Sequence, residues 1–318
     1  MFRVKLHEAG SVLTPARDGN QAAGPGGAAT WAKAVSRVLG AAVFDLLARL
    51  IRVVGACQDL PAMRSAELAV AATRDRTERE CCEAMLRLQQ AILPTSLRRC
   101  FLGRYDVSVR YWSAHSDSGV GGDWYDARLG PDGSAVVAIG DVAGHGLCAA
   151  AGMARIGNAL RGLSVTGQPA STLLDWLNRL VCSDESPERV ASVAVCMLDQ
   201  GRPALRWAQA GHPPPVLVSC GTTRLLARPS GLLLGAVPNA EYHLAYEELA
   251  AGDILFFYTD GLIERRDRDI DEGITALLTA AQGRWGETAD EAVEALLDHL
   301  DPPTAEDDIC VLAVRVRL

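Results

Sequence analysis

The sequence predicts an α+β domain built on mostly antiparallel sheets, preceded by an N-terminal helical segment. Three observations predict it. After Pro94, short apolar runs alternate with turns, as strands do. Helical stretches fall between them in long blocks rather than after every strand, which excludes a doubly wound sheet. Before Pro94, apolar residues recur at helical spacing instead.

The elements follow in order. Residues 1–30 are Gly/Ala/Pro-rich ("TPARDGNQAAGPGGAAT"), lack apolar periodicity and are expected to be disordered. From Trp31 to Cys57, the residues Val35, Leu39, Val43, Leu46, Leu47, Leu50 and Val54 can share one helix face. Asp45, Arg49 and Arg52 interrupt this stretch, leaving an apolar run far short of the roughly 20 residues of a membrane span. An amphipathic helix packed on protein is expected there, and Pro61 ends it or starts the next. A second helix is expected over Ala62–Ile92, with a seam of Cys81, Met85, Leu88 and Ile92 at coiled-coil spacing. That seam is a candidate homodimer contact or signalling rod; alternatively it packs on the first helix. The expected division is therefore 1–30, a helical linker or regulatory segment at 31–93, and the main domain at 94–318.

Within that domain, "YDVSVRYWSA", "SAVVAIGDV", "VASVAVCMLD", "ALRWAQAG", "PVLVSC", "HLAYEEL", "DILFFYTDG" and "ICVLAVRVRL" read as strands. The stretches "LCAAAGMARIGNALRGL", "ASTLLDWLNRLVC" and "DEAVEALLDHL" read as helices.

Composition narrows the function. The 318 residues are 49% hydrophobic and 22% charged, with a formal net charge of -8. No basic block offers a nucleic-acid face. The nine cysteines show no metal-ligand spacing and are expected to be reduced and mostly buried. A cytoplasmic protein is expected.

The chemistry-bearing pattern is acidic. "VVAIGDV" is an apolar strand ending in Gly140-Asp141, and "DILFFYTDG" is another ending in Asp260-Gly261. Asp307 and Asp308 directly precede the last strand, and "GGDWYD" places Asp123 and Asp126 after Gly121-Gly122. Taken singly, each motif is most simply a turn. Together, carboxylates at strand ends repel one another unless cations neutralise them. An all-oxygen donor set suits Mg²⁺ or Mn²⁺, and two such ions can hold a phosphate and activate water. Residues and spacing thus point to a binuclear carboxylate hydrolase. The Gly121-Gly122 pair is expected to turn the chain tightly so that Asp123 faces the metals and Asp126 faces away, with Trp124 and Tyr125 packing alongside.

The ordered series "VGGDWYDA", "GDVAGHG", "NRL", "AGHPPPVLV", "GDILFFYTDGLIE" and "EDDICVLAV" resembles the PPM (phosphatase 2C-like) metal-dependent serine/threonine phosphatases, in their bacterial SpoIIE/RsbU-like branch. The resemblance runs from about Leu88 to Leu318. It implies a β-sandwich of two antiparallel sheets flanked by helices, with two Mn²⁺ or Mg²⁺ ions in a cleft at one edge. It implies that Asp141 bridges the metals, that the Val142 carbonyl completes one, and that Asp260 and Asp307 bind the second. Asp308 is the alternate to Asp307, and Asp123 sits beside the first metal. The implied activity is hydrolysis of phosphoserine or phosphothreonine by metal-activated water. The implied substrate is an anti-anti-sigma (STAS) protein in a partner-switching pathway that regulates a sigma factor.

Two departures stand out against eukaryotic members. No arginine precedes Asp123 in "SAHSDSGVGG", and Ala143 stands where a histidine would follow the bridging aspartate. His145 is then a weak general-acid candidate, and His212 reads as a turn residue stiffened by Pro213–Pro215. Two other readings remain: a non-catalytic phosphoprotein-binding module of the same fold, and a metal-dependent phosphodiesterase or nuclease, which the acidic charge disfavours.

Overall fold

The computed structural model describes residues 98–112, 121–144, 146–183, 190–264, 269–283, 285–300 and 307–317, together with Arg49, Arg74 and Arg76. The expected disordered stretch, the body of both N-terminal helices, the Cys81–Ile92 seam and His145 lie outside the described residues. By contacts the chain divides into Met1–Arg74 and Asp75–Leu318, and every described strand belongs to the second unit.

Two antiparallel sheets form the centre. One contains β1 (Arg99–Leu102), β2 (Tyr105–Trp112), β11 (Ile309–Val316), β10 (Ile254–Tyr258), β7 (Val216–Ser219) and β8 (Thr222–Leu225), in that order across the sheet. The other contains β3 (Trp124–Leu129), β4 (Ala135–Val142), β5 (Ala191–Leu198), β6 (Ala204–Ala210) and β9 (Ala245–Glu248). Helices α1 (Leu147–Ser164) and α2 (Ala170–Cys182) cover the five-stranded sheet, while α3 (Ile270–Ala280) and α4 (Ala289–Leu300) cover the six-stranded one. The expected sandwich of two antiparallel sheets flanked by helices is what the chain adopts.

Burial on both faces explains the strand sequences. In β10, Leu255 and Phe257 enter the core between the sheets, whereas Ile254, Phe256 and Tyr258 face α3 and α4. A strand covered on both sides reads as a continuous apolar run, as "ILFFY" does. The same division recurs in β4, with Val137 and Ile139 inside and Ala138 and Val142 facing the helices.

All eight expected strands are present, with ends trimmed by a few residues. Expectation passed over β1, β3, β8 and α3. β1 and β8 are four-residue sheet edges whose side chains are largely solvent-facing, so they lack an apolar signature. β3, WYDARL, is short and carries the charged Asp126 and Arg128. The six described cysteines are free, but only Cys196 and Cys310 are buried; Cys100 and Cys182 are half-buried, and Cys148 and Cys220 are exposed.

Strand register builds the site. Trp124 pairs with Gly140, so Asp123 and Asp141 fall one step beyond the pair, at the end of β3–β4. Tyr258 pairs with Val311, and the Thr259 N–H donates to the Cys310 carbonyl at 3.0 Å. That brings Asp260, just past β10, beside Asp308, just before β11.

Candidate metal and active site

Asp123, Asp141, Asp260, Asp307 and Asp308 gather at this edge. Asp123 is buried and accepts a hydrogen bond at Oδ2 from the Thr259 hydroxyl at 2.7 Å. The same Thr259 oxygen accepts the Cys310 N–H at 2.9 Å, so one buried threonine ties β10, β11 and Asp123 together. Asp308 is buried and accepts from the Tyr111 hydroxyl at 3.0 Å, and its own N–H donates to Asp307 Oδ1 at 2.8 Å. Asp307 is the exposed member of the pair.

The carboxylates strain against one another. Burial, followed by repulsion from Asp260, Asp307 and Asp308, pushes Asp141 up to about 7. Asp123 is driven well above the carboxylate range, first by burial and then by Asp141; the Thr259 hydrogen bond works the other way. Asp260 is raised by burial and by Asp307. Such a cluster is stabilised by cations.

The glycine pair fits the same purpose: the chain bends at Gly122, and close approach adds a second requirement for glycine. Neither Gly121 nor Gly122 lies in the left-handed region. Each is needed for close approach. A Cβ at Gly122 would sit 2.1 Å from the Val142 carbonyl oxygen and 2.7 Å from Asp141 Oδ1, and one at Gly121 would sit 0.9 Å from Asp308 Oδ2. Two hard oxygen donors thus face the gap above Gly122, a donor set and cradle that fit Mg²⁺ or Mn²⁺. As the side chains stand, no three acidic, imidazole or thiol groups among the described residues close around one point.

Asp126 faces away, as expected. Its carboxylate pairs with Arg161 at 3.2 Å and Arg128 at 3.3 Å. Trp124 is buried against α1 and fits over Gly140, where a Cβ would lie 2.7 Å from its indole nitrogen.

Beside Asp141 and Asp260 opens a cleft of about 370 Å³, lined also by Ala143, Ser192, Pro213, Arg228 and Glu264. Ser192 pairs with Asp141 across β4–β5, and its hydroxyl lies 2.8 Å from His212 Nδ1. Burial pushes His212 down to about 3, so it is a neutral support for Ser192 rather than an acid in the cleft. Sequence reasoning missed Thr259, Tyr111, Ser192 and Arg228. Thr259 alone carried a signal, in its position directly before Asp260.

The sequence pattern described as Stage II sporulation protein E (SpoIIE) matches residues 131–317. The chain belongs to the SpoIIE family of PP2C-type phosphatases. Phosphoserine phosphatase RsbU of Bacillus subtilis is 30% identical over 131 residues, covering 41% of this chain and 39% of that protein. Protein IcfG of Synechocystis is 24% identical over 272 residues, covering 76% of this chain and 42% of that protein. The chain thus spans about two fifths of the length of either curated relative. The crystal structure of RsbU and RsbW domains from Mycobacterium tuberculosis superposes with a TM-score of 0.56 at 30% identity, covering 67% of this chain and 61% of that one. Among the described residues, no helix is long and apolar enough to cross a membrane.

Proposed function

We propose that this SpoIIE-family member is an active, metal-dependent phosphoprotein phosphatase that hydrolyses phosphoserine or phosphothreonine. The observation that carries the reading is the convergence of five aspartates on one sandwich edge, with Asp141 and Asp123 disfavoured as bare anions. The likeness to a relative named a phosphoserine phosphatase supports the substrate class.

Asp141, the Val142 carbonyl, Asp260 and Asp307 would hold two Mn²⁺ or Mg²⁺ ions, with Asp123 beside them. When bound, the ions neutralise the carboxylates, polarise the phosphoryl group and activate a water for in-line attack. Asp307 is the better ligand of the pair because Asp308 is buried and committed to Tyr111. Thr259 orients Asp123, and neutral His212 orients Ser192 on the cleft wall. Ala143 offers no acid at its position, so that position does not protonate the leaving serine oxygen.

The substrate proposed is a phosphorylated STAS anti-anti-sigma protein in a cytoplasmic partner-switching pathway. Residues 31–93 are proposed as the regulatory segment and as a homodimer contact. The test is phosphate release from a phosphoserine STAS protein in Mn²⁺ and in chelator. Release only with Mn²⁺ supports the reading. Tight binding of the phosphorylated form without release would instead identify a non-catalytic binding module.

A further inference from the structure

We infer that Arg228 binds the phosphoryl group of the substrate in the cleft beside Asp141 and Asp260. This rests on the phosphatase reading and adds the residue that takes the anion. The described lining of the cleft carries three acidic groups, Asp141, Asp260 and Glu264, and Arg228 is the one cation among the described residues that line it. A phosphate dianion entering such a site meets repulsion that a guanidinium on its lining offsets. The planar fork of arginine matches phosphate oxygens in pairs. The sequence before Asp123, "SAHSDSGV", supplies no arginine for this task.

An exposed arginine is ordinarily just solvated surface. Two features separate Arg228 from that case. First, among the described residues it has no hydrogen bond or ion pair, whereas nearby Arg224 is engaged by Glu247 at 2.5 Å. Second, its backbone is fixed on both sides. The Leu226 N–H donates to the Pro215 carbonyl at 2.9 Å. The Pro229 carbonyl accepts from buried Gln209, and the Ser230 carbonyl accepts the His243 N–H at 3.1 Å. Pro229 also restricts Arg228 itself to extended conformations. A side chain with no competing partner among the described residues, on an anchored backbone lining the cleft, is available to an anion there. The Arg228 charge also reaches the neighbouring buried His212.

The test compares full-length wild type, Arg228→Ala, Arg228→Lys and Arg202→Ala, the last removing a surface arginine that pairs with Glu248 and does not line the cleft. Two readouts are taken with Mg²⁺ or Mn²⁺ present: KM and kcat for para-nitrophenyl phosphate, and equilibrium binding of inorganic phosphate by calorimetry. Arg228→Ala is expected to raise KM and weaken phosphate binding about tenfold each, with kcat changed less. Arg228→Lys should fall between, and Arg202→Ala should match wild type. Unchanged phosphate affinity and KM in Arg228→Ala would overturn the assignment, as would a wild type that binds no phosphate. A wild type that binds phosphate through Arg228 but turns nothing over would uphold the assignment and reject the hydrolytic reading.

Discussion

Gly122→Ala is the sharpest perturbation of the site. The added methyl would lie 2.1 Å from the Val142 carbonyl oxygen and 2.7 Å from Asp141 Oδ1. The first obstacle is backbone, held in place by the Val142 N–H donating to the Gly122 carbonyl at 3.1 Å. Ordinary contact begins at 3.4 Å, 1.3 Å further out than 2.1 Å, and the strand ends must separate by roughly that amount. Overpacking of this kind costs about 1–3 kcal/mol of stability. A displacement of about 1 Å in a catalytic constellation costs about 100-fold in rate. The variant should therefore stay folded, with Tm lowered by only several degrees, while Mn²⁺-dependent hydrolysis of para-nitrophenyl phosphate falls about 100-fold. Activity within threefold of wild type would refute the argument that the gap above Gly122 is part of the site.

Other predictions follow from named contacts. Thr259→Val removes the donor to Asp123 and the acceptor for the Cys310 N–H, both buried, and should cost about 3 kcal/mol in chemical denaturation. Asp126→Asn leaves Arg161 and Arg128 without their carboxylate; allowing for their partial exposure it should cost about 2 kcal/mol, yet change kcat less than twofold. In the metal-free protein the folded state holds a proton on Asp141 up to about pH 7, whereas the unfolded chain releases it near pH 4. Stability from this group is thus greatest below about pH 4 and is lost as pH rises to about 7. Thermal melts of metal-free protein, with other groups held constant by comparison with Asp141→Asn, should show this loss. Mn²⁺ should raise Tm more at pH 8 than at pH 5, and an equal effect at both would count against the carboxylates as ligands.

Much of this was legible in the sequence because burial dictates residue type. "ILFFY" and "AVVAIGDV" read as apolar strands because both their faces are buried, and aspartates at their ends stood out against that background. The strands β1, β3 and β8 and helix α3 were not legible: β1 and β8 are short, exposed edges, β3 is short and carries charged residues, and α3 fully buries only one large side chain, Leu277. The glycine pair before Asp123 was noticed for its turn, and its second role, close approach, was not. A turn and a close approach leave the same residue type, and only the neighbours, Asp308 and Val142, distinguish them. Thr259 and Tyr111 matter through partners more than 130 positions away, a relation that spacing along the chain does not encode. Arg228 was hidden because its role rests on what lies across the cleft, not on its own neighbours in sequence.

The central claim is that these aspartates form a divalent-metal phosphatase site. Its most direct test is Mn²⁺-dependent phosphate release by wild type, Asp141→Asn and Asp260→Asn, with Mn²⁺ binding measured on the same samples. The account predicts activity that requires Mn²⁺ and a loss of both activity and Mn²⁺ affinity in each variant. Variants that bind Mn²⁺ and release phosphate as wild type does would contradict it.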